Sequence, residues 1–409
     1  MDEYREMRKV YYAQKQLSSA VLPILQARLD SDSTLQPGVK IGDNGAFIVQ
    51  CREIVTLIEE IYRLDKQVTL TSNRLPREAA RQYIRNAIIE EIHQTNEVEN
   101  VHSTRREIRQ SMEEIQQGKP GKRFDGMIRK YNLLLEQQSI PLFSCQDVRA
   151  LYDGFILDEV LKENPNNMPD GIFFRKESAL VIDARDRMIH KGVFPEHQVI
   201  TDMEKALGFV NDASVSLLIR CAAFHHLFGY IHPFYDGNGR MARFISSYLL
   251  SRDLNLLICL RLSYVIKSNR TFYYKMFRET NDRHNYGDMT QFVIRFLSFV
   301  RDAAQQVLEY LSGTADRLTH FADILKRSGL GEDRQTLLFF LIQATLCGDE
   351  GIPVQGLMEL MSNSRSTVLK LIRELGDTVG LRKAGKKHLY HADLDAVEKL
   401  SEQNGAQSP

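Results

Sequence analysis

Cysteine is sparse in this sequence. Five cysteines, Cys51, Cys145, Cys221, Cys259 and Cys347, are spread over 409 residues. They are odd in number and never form a CxxC pair, so a disulfide framework or a zinc site is not expected. They read instead as buried free thiols of a reducing compartment. An excess of either charge is also missing, since Lys plus Arg and Asp plus Glu are 53 each. The chain as a whole therefore has no electrostatic preference for nucleic acid or an anionic membrane, although local patches can have one. No apolar run reaches the length of a membrane span. The opening residues MDEYREMRKV carry charges where a signal peptide would carry an apolar core. No internal repeat is visible. The expectation is a cytoplasmic protein with no membrane partner. With 43% hydrophobic and 26% charged residues, the composition is that of a globular protein, and its length suggests two or three domains.

Most of the chain has helical spacing. Residues 5–29 and 48–66 place Leu, Val, Ile and Tyr among charges at helical intervals, separated by the turn-rich stretch DSDSTLQPGVKIGDNG. Pro76 suits the first turn of a helix that runs to about residue 95. Thr104 and Glu107 form a capping-box pattern for the next helix. Residues 118–126, GKPGKRFDG, read as a loop, and a helix is expected over 145–163. Ala179, Leu180, Val181 and Ile182 make the best strand candidate, within a hairpin over 173–190. Helical spacing returns after Pro195 and continues to about residue 310. Beyond residue 325 the order changes. Leu337–Leu346, Val354–Met361 and Arg365–Leu375 read as helices, with a capping turn at Ser362-Asn363-Ser364 and a strand-like LRKAGKKHLYH after them. That is the order of a winged helix. The last residues, SEQNGAQSP, read as a tail without structure.

The stretch richest in chemistry is HPFYDGNGRMAR, residues 232–243. An apolar helix leads into it, Pro233 and Gly237-Asn238-Gly239 force a turn, and strong helix formers follow. The second helix begins at the loop, so its first N–H groups have no intrahelical acceptor. Glycines allow close approach of an anion, and the helix dipole favours one. Arg240 and Arg243, three residues apart, share a helix face and suit a polyphosphate. Asp236 is a hard oxygen ligand fit for Mg²⁺. His232 could accept a hydroxyl proton. Each residue alone has a structural explanation; base, metal ligand, anion loop and two arginines within one short segment do not combine readily by chance.

This segment resembles the Fic motif, HxFx(D/E)GNGRxxR, at every specified position. The resemblance implies a mainly α fold: a Fic-type helical bundle with a β-hairpin flap. To this are added an N-terminal helical region (1–120) and a C-terminal winged helix (325–400), with the catalytic domain over 121–315. It implies protein adenylyltransferase activity, moving AMP from ATP–Mg²⁺ to a Ser, Thr or Tyr hydroxyl. His232 would be the base and Asp236 the magnesium ligand. Gly237, Asn238 and Gly239 would line the anion hole, Arg240 and Arg243 would hold the distal phosphates, and Phe234 would anchor the core. Residues 175–195 lie where such enzymes carry the flap. There Leu180, Val181 and Ile182 would hold the target segment by strand-like pairing. NRTFYYKMF, residues 269–277, resembles the helix near the adenine, which makes Tyr274 a nucleotide-binding candidate with a core role as the alternative.

Thr95-Asn96-Glu97-Val98-Glu99-Asn100 also fits (S/T)xxxE(G/N), the inhibitory motif of the same family. By resemblance, Glu99 would pair with Arg243 and obstruct the γ-phosphate. Glu90, Glu91, Glu97 and Glu99 lie close together, and most are expected to be surface charges. Removal of AMP, with Glu99 positioning water, or transfer of another nucleotide are alternative activities. An alternative of another class is a DNA-binding regulator. Arg365, Lys370, Arg373, Arg382, Lys383, Lys386 and Lys387 would meet phosphates, and Ser364, Ser366 and Thr367 would reach base edges. Expected partners are a protein substrate, the chain itself through self-modification, DNA, and a second copy in a homodimer.

Overall fold

The computed structural model describes residues 4–14, 18–119, 123–182, 188–348, 351–384 and 387–405. Short helices α1 (Met7–Ala13) and α2 (Ser18–Leu29) occupy the region expected as one helix. The turn-rich stretch after them is not plain loop. Strands β1 (Thr34–Leu35), β2 (Lys40–Ile41), β3 (Asn44–Gly45) and β4 (Ile48–Val49) form two small antiparallel pairs, β1 with β4 and β2 with β3. The β-branched Ile48-Val49 therefore joins a strand, and α3 (Arg52–Ser72) starts later than its periodicity suggests. Helix α4 (Arg77–Val98) runs three residues further than expected, which puts Thr95–Val98 on its last turn.

Helix α5 (Arg105–Gln116) opens with the anticipated capping box of Thr104 and Glu107. Next come α6 (Asp125–Leu135), α7 (Cys145–Tyr152) and α8 (Asp158–Glu163). The single helix expected over 145–163 is interrupted by a π-helical turn at Asp153–Leu157. Strands β5 (Leu180–Ile182) and β6 (Met188–Lys191) pair antiparallel as the hairpin, with a register irregularity between Val181 and Ile182. Its turn, residues 183–187, lies outside the described residues. Then follow α9 (Glu196–Val210), α10 (Leu217–Ile231), α11 (Asn238–Leu250), α12 (Leu256–Cys259), α13 (Leu262–Ser268), α14 (Arg270–Thr280) and the long α15 (Thr290–Arg327). The chain closes with α16 (Glu332–Leu346), β7 (Ile352–Pro353), α17 (Val354–Met361), α18 (Arg365–Leu375), β8 (Val379–Ala384), β9 (Lys387–Ala392) and α19 (Leu394–Gly405). The fold is mainly α, as expected. Among the described residues no helix is long and apolar enough to cross a membrane.

Two compact units emerge. One comprises residues 1–65 and 88–305; the other comprises 66–87 and 306–409. In the first, α10 is apolar on all sides and buried almost throughout, from Leu218 to Phe228, which marks it as the central helix. Helices α9 and α11 pack against it. In the second, the order is helix, strand, helix, helix, hairpin, with an antiparallel sheet in the order β7-β9-β8. Leu337, Leu341, Leu357, Val368 and Val397 are buried there. Four of the five cysteines are buried and all are free thiols.

The acidic cluster on α4 corrects one expectation. Glu90 is held by Arg105, and Glu97 by Lys267. Glu91 is wholly buried. Its carboxyl accepts from the Ser263 backbone N–H at 3.0 Å, the Ser263 hydroxyl at 2.5 Å and the Tyr131 hydroxyl at 3.3 Å. Burial pushes this carboxyl up from 4.5 to about 7, against the pull of the serine donors and Arg243. A raised carboxyl binds its proton better in the folded state. Its contribution to stability is therefore greatest below 4.5 and is lost as pH rises through 7. Glu91→Gln should consequently gain on the wild type by up to about 3 kcal/mol between pH 4.5 and pH 8. Urea midpoints at several pH values measure this, and parallel curves for the two proteins would refute it.

Candidate active site

Helix α10 stops because His232 takes a left-handed conformation (φ 55°, ψ 62°) and Pro233 follows it without an N–H. The loop turns again at Gly237, whose φ of 80° suits glycine, and α11 begins at Asn238. Two contacts hold the loop from within. The Phe234 N–H donates to Asn238 Oδ1 at 3.0 Å, and Asn238 Nδ2 donates back to the Phe234 carbonyl at 2.8 Å. Both ends of that side chain are engaged within the loop, which fixes the head of α11, where an anion would meet backbone N–H groups. Phe234 is fully buried and lies flat on Tyr152, with ring centroids 3.7 Å apart. The Tyr152 hydroxyl donates to the Asp236 carbonyl at 3.1 Å. The segment with the π-helical turn thus supports the loop from beneath, a role the periodicity of 145–163 does not reveal.

His232 is half-buried. Its Nδ1 lies 3.4 Å from the Gly229 carbonyl, which can only accept, so the Nδ1–H tautomer is favoured and Nε2 is the basic nitrogen. Asp236 is partly exposed, with Oδ1 receiving the Gly237 N–H and Oδ2 standing 3.5 Å from Arg240 Nη2. Arg240 is 1% exposed, yet its Nε and Nη1 have no hydrogen-bond partner among the described residues. Glu163 is its other carboxylate neighbour, 3.9 Å away and beyond hydrogen-bond range. Buried guanidinium donors left unpaired are costly and call for an anion.

Arg243 is completely buried and differently served. Its Nε donates to Thr95 Oγ1 at 2.7 Å, and its Nη2 donates to the Thr95 carbonyl at 3.0 Å and meets Glu99 Oε1 at 2.8 Å. Burial pushes this guanidinium down and the Glu99 carboxylate more than offsets it, leaving it above the usual arginine value. Glu99 also lies against Gly239: a β-carbon at that glycine would run into Glu99 Oε1. An acidic side chain therefore sits directly over the first turn of α11.

Helix α14 contributes two tyrosines. Tyr273 is buried, with its hydroxyl 2.9 Å from His225 Nε2, the position of a core residue. Burial first, and Arg243 with it, hold His225 down to about 3, so that imidazole is neutral. The Tyr274 hydroxyl donates to the Val98 carbonyl at 3.3 Å, at the end of α4. In the hairpin, Leu180 is exposed and pairs with Lys191; Val181 and Ile182 lie on the same strand, and nothing is described of their side chains.

Sequence reasoning brought together His232, Asp236, Gly239, Arg240, Arg243 and Glu99, and the structure gathers all six around the start of α11. It missed Tyr152, Glu163, Arg175 and Glu91. The spacing of Glu91, Thr95 and Glu99 at i, i+4 and i+8 was a signal that one face of α4 turns toward Arg243.

Residues 142–250 match the Fic/DOC family. The chain is similar in fold to a Fic family protein from Desulfovibrio desulfuricans, at 19% identity and a TM-score of 0.51, over 84% of this chain and 96% of that one. It is also similar to residues 134–508 of Fic-1 from C. elegans, at 16% identity and a TM-score of 0.46, over 76% of this chain and 82% of that one. A Fic-domain-containing signaling protein from Bacteroides thetaiotaomicron gives 14% identity and a TM-score of 0.45, over 63% and 97% respectively.

Proposed function

Since residues 142–250 match the Fic/DOC family, we propose that the chain transfers AMP from ATP to a hydroxyl of a protein, itself included, and that Glu99 restrains the reaction. The observation that carries this reading is the Glu99 carboxylate seated on Arg243 over Gly239. An internal anion at the head of α11 marks where an external one would bind.

The residues fit both expected ligands. The unpaired donors of Arg240 suit phosphate oxygens. Asp236 offers one accessible carboxylate, which suits Mg²⁺, an ion held by one or two carboxylates together with phosphates and water. When bound, the ion would neutralise charge on the leaving phosphates. His232 Nε2 takes the proton of the target hydroxyl as its oxygen bonds to the α-phosphorus and the bond to pyrophosphate breaks. Arg240 and Arg243 stabilise the departing charge. Glu99 competes for Arg243 with the distal phosphate, so the bound triphosphate is held out of line for attack. Its side chain is 28% exposed, so it can be displaced without opening the core.

A second reading concerns the C-terminal unit. Its helix–strand–helix–helix–hairpin order supports a winged helix, and Arg365, Lys370, Arg373, Arg382 and Lys383 are exposed. Lys386 lies outside the described residues, and so does the side chain of Lys387. Ser364 caps α18 and shares its hydroxyl with Ser366 and Thr367. This basic strip makes duplex DNA the candidate partner.

Three outcomes are expected. Glu99→Gly raises self-labelling with labelled ATP by about 10²-fold, the cost of a misplaced reacting group; equal labelling of variant and wild type would remove the restraint. His232→Ala in that background loses about 10²–10⁴ in rate while still binding ATP, and a rate near that of the parent would mean that another group is the base. Binding of the whole chain to duplex DNA should weaken steeply with salt, and no binding at low salt would sink the second reading.

A further inference from the structure

Arg175 is among the largest fully buried side chains, and among the described residues no carboxylate pairs with it. Among the described residues, its guanidinium donates only to main-chain carbonyls. Nε donates to His232 O at 2.8 Å, Nη1 to Glu177 O at 2.6 Å, and Nη2 to Val193 O at 2.8 Å and Ile231 O at 3.4 Å. Its own N–H donates to the Pro233 carbonyl at 3.1 Å. Val193 N–H donates to Ile231 O at 3.1 Å, and Gly192 N–H to Ala179 O at 2.9 Å. One guanidinium therefore joins three chain segments: the entry to β5, the exit from β6, and the turn that carries His232.

An uncompensated buried charge is expensive, and a hydrophobic side chain of similar size would ordinarily serve packing better. Only arginine brings five donors in a rigid fork to such a junction. What it holds is also unusual. His232 is in the left-handed region, which a non-glycine residue keeps only when its surroundings fix it. The His232 carbonyl is gripped by Arg175 Nε, and the next carbonyl along by the Arg175 N–H. Space is tight on the far side. A β-carbon at Gly192 would strike Arg175 Nη2 and press on His232 Cβ. Tyr235 adds a second tie, accepting from the Glu177 N–H at 3.1 Å and donating to Asp170 at 2.9 Å.

We propose that Arg175 is a positioning residue that locks the base of the β5–β6 hairpin and the backbone of His232 into one rigid junction, so that the surface presenting the target hydroxyl and the imidazole receiving its proton are held in a fixed relation. This rests on the transfer reaction proposed above. Arg175 touches neither reactant. Its effect is geometric, and a small displacement between hydroxyl and base is enough to lower the rate.

The test uses the full chain carrying Glu99→Gly, with Arg175→Met, Arg175→Lys and Gly192→Ala added singly. Labelled ATP reports the maximal self-labelling rate, calorimetry the stoichiometry and affinity of ATP, and hydrogen exchange the amides of 174–180, 191–194 and 228–236. Arg175→Met and Gly192→Ala should lower the maximal rate by about 10²-fold with full ATP stoichiometry and an unchanged KM for ATP. Arg175→Lys, which keeps a donor but loses the fork, should recover part of the rate. Exchange in the hairpin-base and His232 segments should accelerate together, with the rest of the unit unchanged. The proposal is overturned by full rates in both variants, by rate losses that track lost ATP binding, or by exchange that changes on one side of the junction only. If the Glu99→Gly parent transfers no label, the transfer reading falls, and the exchange measurements still decide whether Arg175 joins the two segments.

Discussion

A cation that cannot give up its proton lies at full burial in Arg243, and much of the surrounding arrangement answers to that fact. Arginine in an interior needs acceptors on its fork and a counter-charge nearby. The last turns of α4 supply both: the Thr95 hydroxyl and carbonyl, and the Glu99 carboxylate. The same helix end is tied to the following helices by Lys267 on Glu97, by Arg270 on Asn100 and by the Tyr274 hydroxyl on the Val98 carbonyl. Carbonyls at a helix C-terminus have no intrahelical donor, and cations and hydroxyls are their natural partners. The restraint on Arg243 is therefore part of how α4 is capped.

The two arginines of α11 illustrate how context separates identical chemistry. Both are buried. The end of α4 serves Arg243 Nε and Nη2 and leaves Nη1 without a hydrogen-bond partner among the described residues, whereas Arg240 leaves both Nε and Nη1 unpaired beside a partly exposed carboxylate. Pairing stabilises the resting structure; each donor left unpaired carries a cost that a ligand can relieve. On the other side of the loop, Arg175 spends its whole fork on carbonyls and shapes the backbone in place of a ligand site. Three buried guanidinium groups thus have three different settings: one against a carboxylate and a helix end, one with donors left unpaired, and one among main-chain carbonyls.

Much of this is legible in the sequence alone. The capping box at Thr104, the hairpin at Leu180 and the boundaries of α17 and α18 follow from local chemistry, because turn and cap preferences act within a few residues. Where the structure departs from the local pattern, tertiary contacts are responsible. Ile48-Val49 left the expected helix for a strand pair with Thr34-Leu35. The π-helical turn at Asp153–Leu157 is invisible to a helical period, yet the segment containing it braces the loop. Glu91 reads as one more surface charge on α4 until Ser263 and Tyr131 are found around it.

The sequence by itself determined the loop of residues 232–243, since histidine, glycines, carboxylate and arginines stand within a single helix–loop–helix, where short-range geometry decides their relation. Tertiary structure alone decided which of those groups are satisfied. Thr95 reaches Arg243 across 148 positions and Arg175 reaches His232 across 57. The strength of such contacts depends on how far water is excluded, and that depends on the packing of many segments at once. A pattern of letters can nominate a partner for a charge; only the folded chain determines whether that charge is buried and needs one.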